Sequence, residues 1–546
     1  MNCCFKSILK DVYQKVQLNY VLILILCVSV LLRLIYIDAP LLDIHSFRQT
    51  QVAISVQYLL NHGLSFDNIY NYKTPVFGSP WMVPFEAPIF QVSAFFVHKV
   101  LSILFCYDNL DISLRITNIV YFYLSTYVLY LLVKFVINKE IAFITILLYL
   151  FMPFSIFWSR TSMMEYCATF FSISYLYNFI IYSQRRTFKN VVYAIIFGIL
   201  GYLAKSTSMV PSCIFIGLYY LIKVKPLRLE YIKHFKFVLS EILMVAIPLI
   251  CGYLWVLHTD IIKSMSLATQ PLTSEALKNW NFGTLAQKLD WTNWKKIYYY
   301  IKQQWGHTFV LLVFFYVVNL IYDVLTKKRN LIDYQVLIFV ISLSASLFTI
   351  FLFFNLYFIH NYYHIAVNYL ECIVVAISLS FVTHKIKSLS SKVKLISVSK
   401  YIRYTTYLVL IICLTSNMIK SIYTKYYTKH DLYVGPSSSA NFVIKVSNQI
   451  KEITPYNKSI ICLGFDWDSS VPYYSNRKAL MLPDWFNKRF LTEILSNDLS
   501  DYSTFICNDK TSIRGQFIKN MLNTRVNLKE IKSTCSDVSF YILSPK

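Results

Sequence analysis

Asp43, His45, Arg48, Gln49 and Gln51 crowd the stretch LLDIHSFRQTQ, residues 41–51, directly after an apolar run long enough to cross a bilayer. Glu86 stands in PFEAPIFQ, Arg160 and Glu165 in FWSRTSMMEY, Lys205 in GYLAKSTSMVP, and His360, Tyr362, Tyr363 and His364 in FIHNYYHIAVN. Ionisable groups at membrane depth are expensive, and where they occur they usually face a bundle interior or an aqueous cavity. A carboxylate such as Asp43 can take the proton of an attacking hydroxyl. Arg48, Lys205 and a protonated histidine can hold a phosphate and steady the charge that grows on it as it leaves. A base on one flank with cations on the other is what group transfer from a phosphate-activated donor requires. A transport path would more often break helices at the midplane and carry carboxylates in mid-span, and the sequence has little of either.

Singly, each residue has a plainer reading. Asp43 could cap a helix starting near Ser46. Arg48, Arg160 and Lys205 could be interfacial anchors that reach toward headgroups. Glu86 could pair with one of those cations, and the tyrosines of HNYYH could belong to an aromatic belt. The chemical reading therefore depends on bringing them together, and that depends on the membrane spans.

The chain of 546 residues is 56% hydrophobic and 17% aromatic. Its 15% of charged residues falls well below the roughly 25% of a soluble domain. A span needs about 20 mostly apolar residues, and roughly eleven segments qualify: 19–37, 113–135, 141–158, 164–182, 190–204, 207–222, 237–257, 308–325, 335–354, 364–383 and 402–420. The formal charge of +24 would suit nucleic-acid binding in a soluble protein, but here the basic residues gather in short segments between apolar runs, so nucleic acid is excluded as a partner. Residues 184–189, 223–236, 326–330 and 384–403, with the N-terminal lysines, fall on one side and are expected in the cytoplasm. Loops 38–112 and 258–307, and everything after about 421, then face the opposite compartment.

Loop 38–112 reads as two short helices on the outer face. The first runs from Arg48 to Leu60 with His62-Gly63 as its stop, and the second follows Pro88 over an apolar stretch interrupted by Gln91, His98 and Lys99. The tail alternates β-rich runs (KSIICLGF, KALMLPD, STFICN, VSFYILSP) with helical patterns such as NFVIKVSNQIKEI. The expected fold is mostly α: a polytopic membrane helical bundle over residues 1–421, with a small α/β extracytoplasmic domain over 430–546. The twelve cysteines form no zinc pattern, although one disulfide among Cys462, Cys507 and Cys535 could form outside the cytoplasm. No GxxxxGK phosphate loop occurs.

DIHSFRQTQVA, PFEAPIFQ, SRTSMMEY, LAKST and HNYYH, in this order at these span ends, resemble the bacterial branch of the dolichyl-phosphate-mannose-protein mannosyltransferase family. This is the glycosyltransferase 39-like group, related to the aminoarabinose transferases of lipid A and built on the GT-C membrane fold. The tail segment 464–485, GFDWDSSVPYYSNRKALMLPDW, is similar to the sequence that follows the spans in many members.

The resemblance implies a polyprenyl-phosphate sugar as donor, bound from within the membrane. It also implies an acceptor hydroxyl on a glycan, lipid or protein, attacking with inversion at the outer face of a bacterial inner membrane. Asp43 would be the general base, Arg48, Lys205 and Arg160 the donor-phosphate cations, and Glu86, Gln51, Glu165, Tyr363 and His364 the substrate-binding residues. Two departures stand out. Relatives carry a lysine after the glutamate where this chain has Ala87-Pro88, and alignment on Arg48 puts His45 where the base is expected, so Asp43 and His45 both stand as candidates. No metal ligands are assigned, and the resemblance leaves open whether a divalent metal takes part. A polysaccharide polymerase or ligase, and a transporter or flippase of lipid-linked sugars, are the alternatives.

Overall fold

The computed structural model of the protein describes residues 22–106, 108–224, 234–326, 333–392, 439–508, 512–535 and 537–546. The chain enters through α1 (Leu22–Leu34), where Arg33 is wholly buried. A lone guanidinium at that depth needs every donor engaged. Arg33 donates to Ser29, to Ser159 Oγ at 2.7 Å and to the Leu150 carbonyl at 2.9 Å, and lies 4.1 Å over the Phe122 ring. It thereby locks the first span to its neighbours.

The two outer helices follow as α2 (Ser46–His62) and α3 (Ile89–Phe105). The expected stop of α2 is its actual end, where Gly63 takes the positive φ of 81° that residues with a Cβ avoid. Its start differs from the capping reading. His45, not Asp43, occupies the N-cap, at φ 60°, and offers no side-chain cap. Nor is α2 a surface helix with one wet face: Arg48 to Val56 are buried without interruption, because the C-terminal region packs on its outer side.

The bundle continues with α4 (Leu110–Val136) and α5 (Lys139–Phe151), capped by Asn109 and Asn138, whose side chains accept from the backbone N–H three residues on. The expected span 141–158 breaks at Met152, because Pro153 has no N–H to continue the ladder and begins a separate helix (Pro153–Trp158). Next come α6 (Glu165–Arg185) and α7 (Phe188–Tyr219), then α8 (Phe235–Ser264), α9 (Trp291–Leu325), α10 (Tyr334–Leu352) and α11 (Ile365–Lys392). Hydroxyls buried at membrane depth bond back to carbonyls one turn earlier, as in Thr126 to Phe122, Thr145 to Ile141 and Ser378 to Val374.

Two long helices are broken, one of them at a site residue. The expected spans 190–204 and 207–222 form the single helical run α7, interrupted at Lys205, whose φ of −171° and ψ of 101° are extended. Met209 packs its sulfur on the bare backbone of Gly201, and the Tyr202 hydroxyl lies 3.2 Å from Cys213 Sγ. In a straight helix residues eight apart are about 12 Å apart, so the chain bends sharply at Lys205. The second break is Gly306 in α9 (φ 70°, ψ 167°), where the segments Trp291–His307 and Val310–Leu325 meet at 89°. Among the described residues five helices are long and apolar enough to cross a membrane alone, six with the bent pair, and the chain is a multi-pass integral membrane protein. Expected span 402–420 lies outside the described residues.

The C-terminal region opens with α12 (Ser439–Ile453) and forms a five-stranded sheet: β1 (Ser459–Leu463), β2 (Ala479–Leu482), β3 (Tyr502–Cys507), β4 (Val526–Ile531) and β5 (Ser539–Pro545). Its order is β2-β1-β3-β5-β4, with β1 parallel to β2 and β3, and β5 antiparallel to β3 and β4. β4 was not among the β-rich runs read from the sequence; as an edge strand with alternate exposed residues (VNLKEI) it looks polar. Cys462, Cys507 and Cys535 are all buried, and the Cys462 and Cys535 thiols are free.

This sheet is fastened to the outer loop. Residues 75–78 run along β2, with Ala479 N donating to Pro75 O at 3.0 Å and Met481 N to Val76 O at 2.9 Å. The hydroxyls of Tyr473 and Tyr474 donate to the Asp111 carboxylate at 2.5 and 2.8 Å. Tyr474 also accepts from Leu41 N at 2.7 Å. Changing both tyrosines to phenylalanine is expected to leave the half-buried Asp111 carboxylate short of partners and lower the melting temperature by several degrees, as measured by fluorescence in detergent.

Candidate active site

The polar residues singled out in the sequence separate into two clusters with different physics. Asp43 anchors the first. Its side chain is fully enclosed (0% exposed) and accepts from Gln49, with Arg115 Nη1 at 3.5 Å and Arg160 Nη2 at 3.6 Å. Both arginines also hold backbone: Arg115 donates to the carbonyls of Ala39, Pro40 and Arg160, and Arg160 to those of Ile35 and Tyr36. Gln49 completes the knot by accepting from Ser162 N at 3.1 Å. One carboxylate between two buried guanidiniums is a staple that joins the chain leaving α1, the start of α4 and the SRTS turn. Arg160 accordingly faces Asp43 and no open space, unlike the phosphate contact expected of it. Arg115 was absent from the sequence reading, since an arginine inside an apolar run gives no sign of its partner.

The second cluster depends on the bend at Lys205. Because α7 breaks at Lys205, that amine leaves the helix wall and meets Glu165 Oε1 at 2.5 Å, with the Tyr363 ring 4.7 Å and the Tyr362 ring 5.3 Å away. Glu165 Oε2 has no hydrogen-bond partner among the described residues. Arg48, one turn into α2, donates to Glu86 and, at 2.7 Å, to Gln51 Oε1. Gln51 thus positions Arg48. Burial alone would raise the Glu86 carboxyl, but Arg48 and Lys205 outweigh it and hold it below the usual carboxylate range, so Glu86 stays ionised.

A third cation joins them. Lys263, at the end of α8, is only 4% exposed, lies 4.4 Å over the Phe85 ring, and has no hydrogen-bond or ion-pair partner among the described residues. The Arg48 guanidinium sits 5.9 Å from the same ring, and Arg48 and Glu86 are the nearby charges of Lys263 besides Asp260. Sequence reasoning passed over Lys263 because a lysine at a helix end reads as an ordinary membrane anchor. Arg48, Lys205 and Lys263 are thus gathered around Glu86 and Glu165, with Asp260 a further charge near Lys263.

His45 borders the chamber, half-buried. Its ring stacks on Trp158 at 5.7 Å and meets the edges of Tyr362 at 4.9 Å and His360 at 5.1 Å. Nε2 lies 3.2 Å from Asn361 Oδ1. Burial lowers the His45 pKa below its ordinary value, so the ring is neutral at neutral pH. His364 is placed elsewhere: it is buried between Tyr300 and Tyr357, away from Lys205, with neither ring nitrogen bonded among the described residues. The described residues contain no group of three or more His, Cys, Asp or Glu arranged to hold a metal ion.

Comparison with known proteins agrees with this architecture. Residues 91–255 match the sequence profile of the family described as dolichyl-phosphate-mannose-protein mannosyltransferase. No curated protein matches the sequence. Among solved structures, ArnT from Cupriavidus metallidurans bound to undecaprenyl phosphate superposes with a TM-score of 0.59 at 10% identity, over 95% of this chain and 97% of that one. The apo form of the same protein gives 0.53 at 11% identity, over 96% and 98%. The apo oligosaccharyltransferase of Archaeoglobus fulgidus gives 0.51 at 12% identity, over 96% of this chain and 74% of that one. Through residues 91–255 the chain matches the dolichyl-phosphate-mannose-protein mannosyltransferase family that its motifs resemble, and over nearly its whole length it has the GT-C membrane fold.

Proposed function

We propose that the protein is an integral membrane glycosyltransferase that moves a sugar from a polyprenyl-phosphate donor to an acceptor hydroxyl, with inversion, at the extracytoplasmic face. The observation that carries this reading is a cluster of three buried cations, one of which touches no carboxylate. Arg48 and Lys205 each have a carboxylate, whereas Lys263 is buried with none. A buried ammonium with no anion in contact is costly, and an anion of phosphate size would supply that contact. The undecaprenyl phosphate bound by the structurally similar ArnT is of that class. Lys263 also provides the cation that the motif lacks at Ala87-Pro88.

In this mechanism Arg48, Lys205 and Lys263 bind the phosphate and stabilise the negative charge that develops as the bond from the anomeric carbon to the phosphate oxygen breaks. Glu86 and Glu165 keep two of those cations in place. The acceptor oxygen attacks the opposite face of the anomeric carbon and gives its proton to His45. With Asn361 Oδ1 accepting from Nε2–H, the neutral imidazole carries its lone pair on Nδ1. His45 takes this role in preference to Asp43, whose carboxylate is enclosed and shared between two arginines.

Binding of undecaprenyl phosphate to the purified protein in nanodiscs, followed by native mass spectrometry, tests the reading. Lys263→Met is expected to weaken it about ten- to hundredfold, the worth of one charge-assisted hydrogen bond, and Lys263→Arg to retain most of it. Equal binding by wild type and Lys263→Met would remove Lys263 from the site. The pH–rate profile should be flat near neutrality and fall on the acid side below 6.5, as His45 protonates from its lowered pKa and ceases to be a base.

A further inference from the structure

Beside the cationic chamber a row of aromatic rings stays partly open. Trp280, 46% exposed, lies 6.2 Å from His360; His360 lies 6.0 Å from Phe47; and Phe47 lies 5.7 Å from Trp467 on the loop after β1. His45 touches this row in the middle, through His360 and Phe47 at 5.1 and 5.9 Å. The row ends at Phe85, 6.4 Å from Trp467, and that is the ring beneath Lys263. Its rings come from four separate parts of the chain, yet the Trp467 end is firmly held. Ser469 Oγ donates to the Phe47 carbonyl at 3.0 Å, and Ser46 Oγ donates to Asp468 Oδ2 at 3.1 Å. The C-terminal region thus places a tryptophan on Phe47, the ring that adjoins the group assigned as base.

We propose that the acceptor is a saccharide and that Trp467, Phe47, His360 and Trp280 form the track that seats it beside His45. This rests on the glycosyltransferase reading and adds the acceptor's chemical class to it. A pyranose offers C–H faces to aromatic rings and hydroxyls to their polar margins, where Asn361 and the exposed Asp466 stand. An extended peptide would instead seek an open strand edge, and the edge of β2 next to Trp467 is already filled by residues 75–78. Tyr473, Tyr474 and Arg477, which also suit sugar contacts by type, are used internally: the tyrosines on Asp111 and Arg477 on the Thr454 carbonyl.

The test is saturation-transfer NMR on the full chain in nanodiscs, with chitotetraose, maltotetraose and an octapeptide of alternating serine and alanine as probes. At least one oligosaccharide is expected to receive saturation, the peptide none. Trp467→Ala and Phe47→Leu should each weaken that binding about tenfold, whereas Trp467→Phe should keep it. No oligosaccharide signal from the wild type, an unchanged signal in Trp467→Ala, or preference for the peptide would overturn the inference. Undecaprenyl phosphate binding on the same samples should be intact throughout; its absence from the wild type would count against the glycosyltransferase reading itself.

Discussion

His45→Gln lowers turnover by about 10² to 10⁴, the span of a lost general base, while the protein keeps its melting temperature and its affinity for the lipid phosphate. Glutamine matches the ring in reach and can still bond Asn361, but it cannot take a proton. The half-buried ring makes its polar contact with one neutral amide, so its replacement leaves no buried charge exposed. The acid limb of the pH–rate profile should vanish with it. Turnover and pH dependence equal to wild type would exclude His45 as base.

Asp43→Asn acts in the opposite way, through the fold. Removing that charge takes from the buried Arg115 and Arg160 the carboxylate they share, and breaking a buried ion pair from one side costs about 3–5 kcal/mol. The variant is expected to express poorly and to melt well below wild type, with the fraction that does fold still binding lipid phosphate. Chemical or thermal unfolding in detergent reads the loss directly. A variant that is as stable as wild type yet inactive would return Asp43 to the chemistry.

These two residues show how far the sequence carried the argument. The polytopic helical bundle, the two helices of loop 38–112 and four of the five strands were legible, because each rests on local pattern: apolar length, a Gly63 stop, short β-rich runs; the GT-C architecture was implied by the resemblance of the ordered motifs. The pairing of Glu165 with Lys205 was foreshadowed only by both lying at outer span ends. What decides between Asp43 and His45 is long-range. Arg115 comes from the interior of a later apolar run, and no spacing links it to Asp43. Lys263 stayed hidden for the related reason that a buried unpartnered lysine and a snorkelling one have the same sequence context. α6 illustrates the converse: its serines, threonines and tyrosines make it less apolar than a lipid-facing span because it is buried on nearly every side.

The C-terminal region gains a role from the same geometry. Asp111, accepting from Tyr473 and Tyr474, ties the sheet to the mouth of α4, and residues 75–78 extend its edge. These contacts fix the loop that carries Trp467 against the start of α2, so the region both covers α2 and contributes a ring to the site.

The most direct test of the central claim uses proteoliposomes loaded with a radiolabelled polyprenyl-phosphate sugar and an oligosaccharide acceptor. The account predicts that label leaves the lipid, appears in a water-soluble glycosylated product, and stops doing so in His45→Gln. Label that remains on intact lipid and only changes leaflet would contradict it, and would make the protein a carrier of lipid-linked sugars.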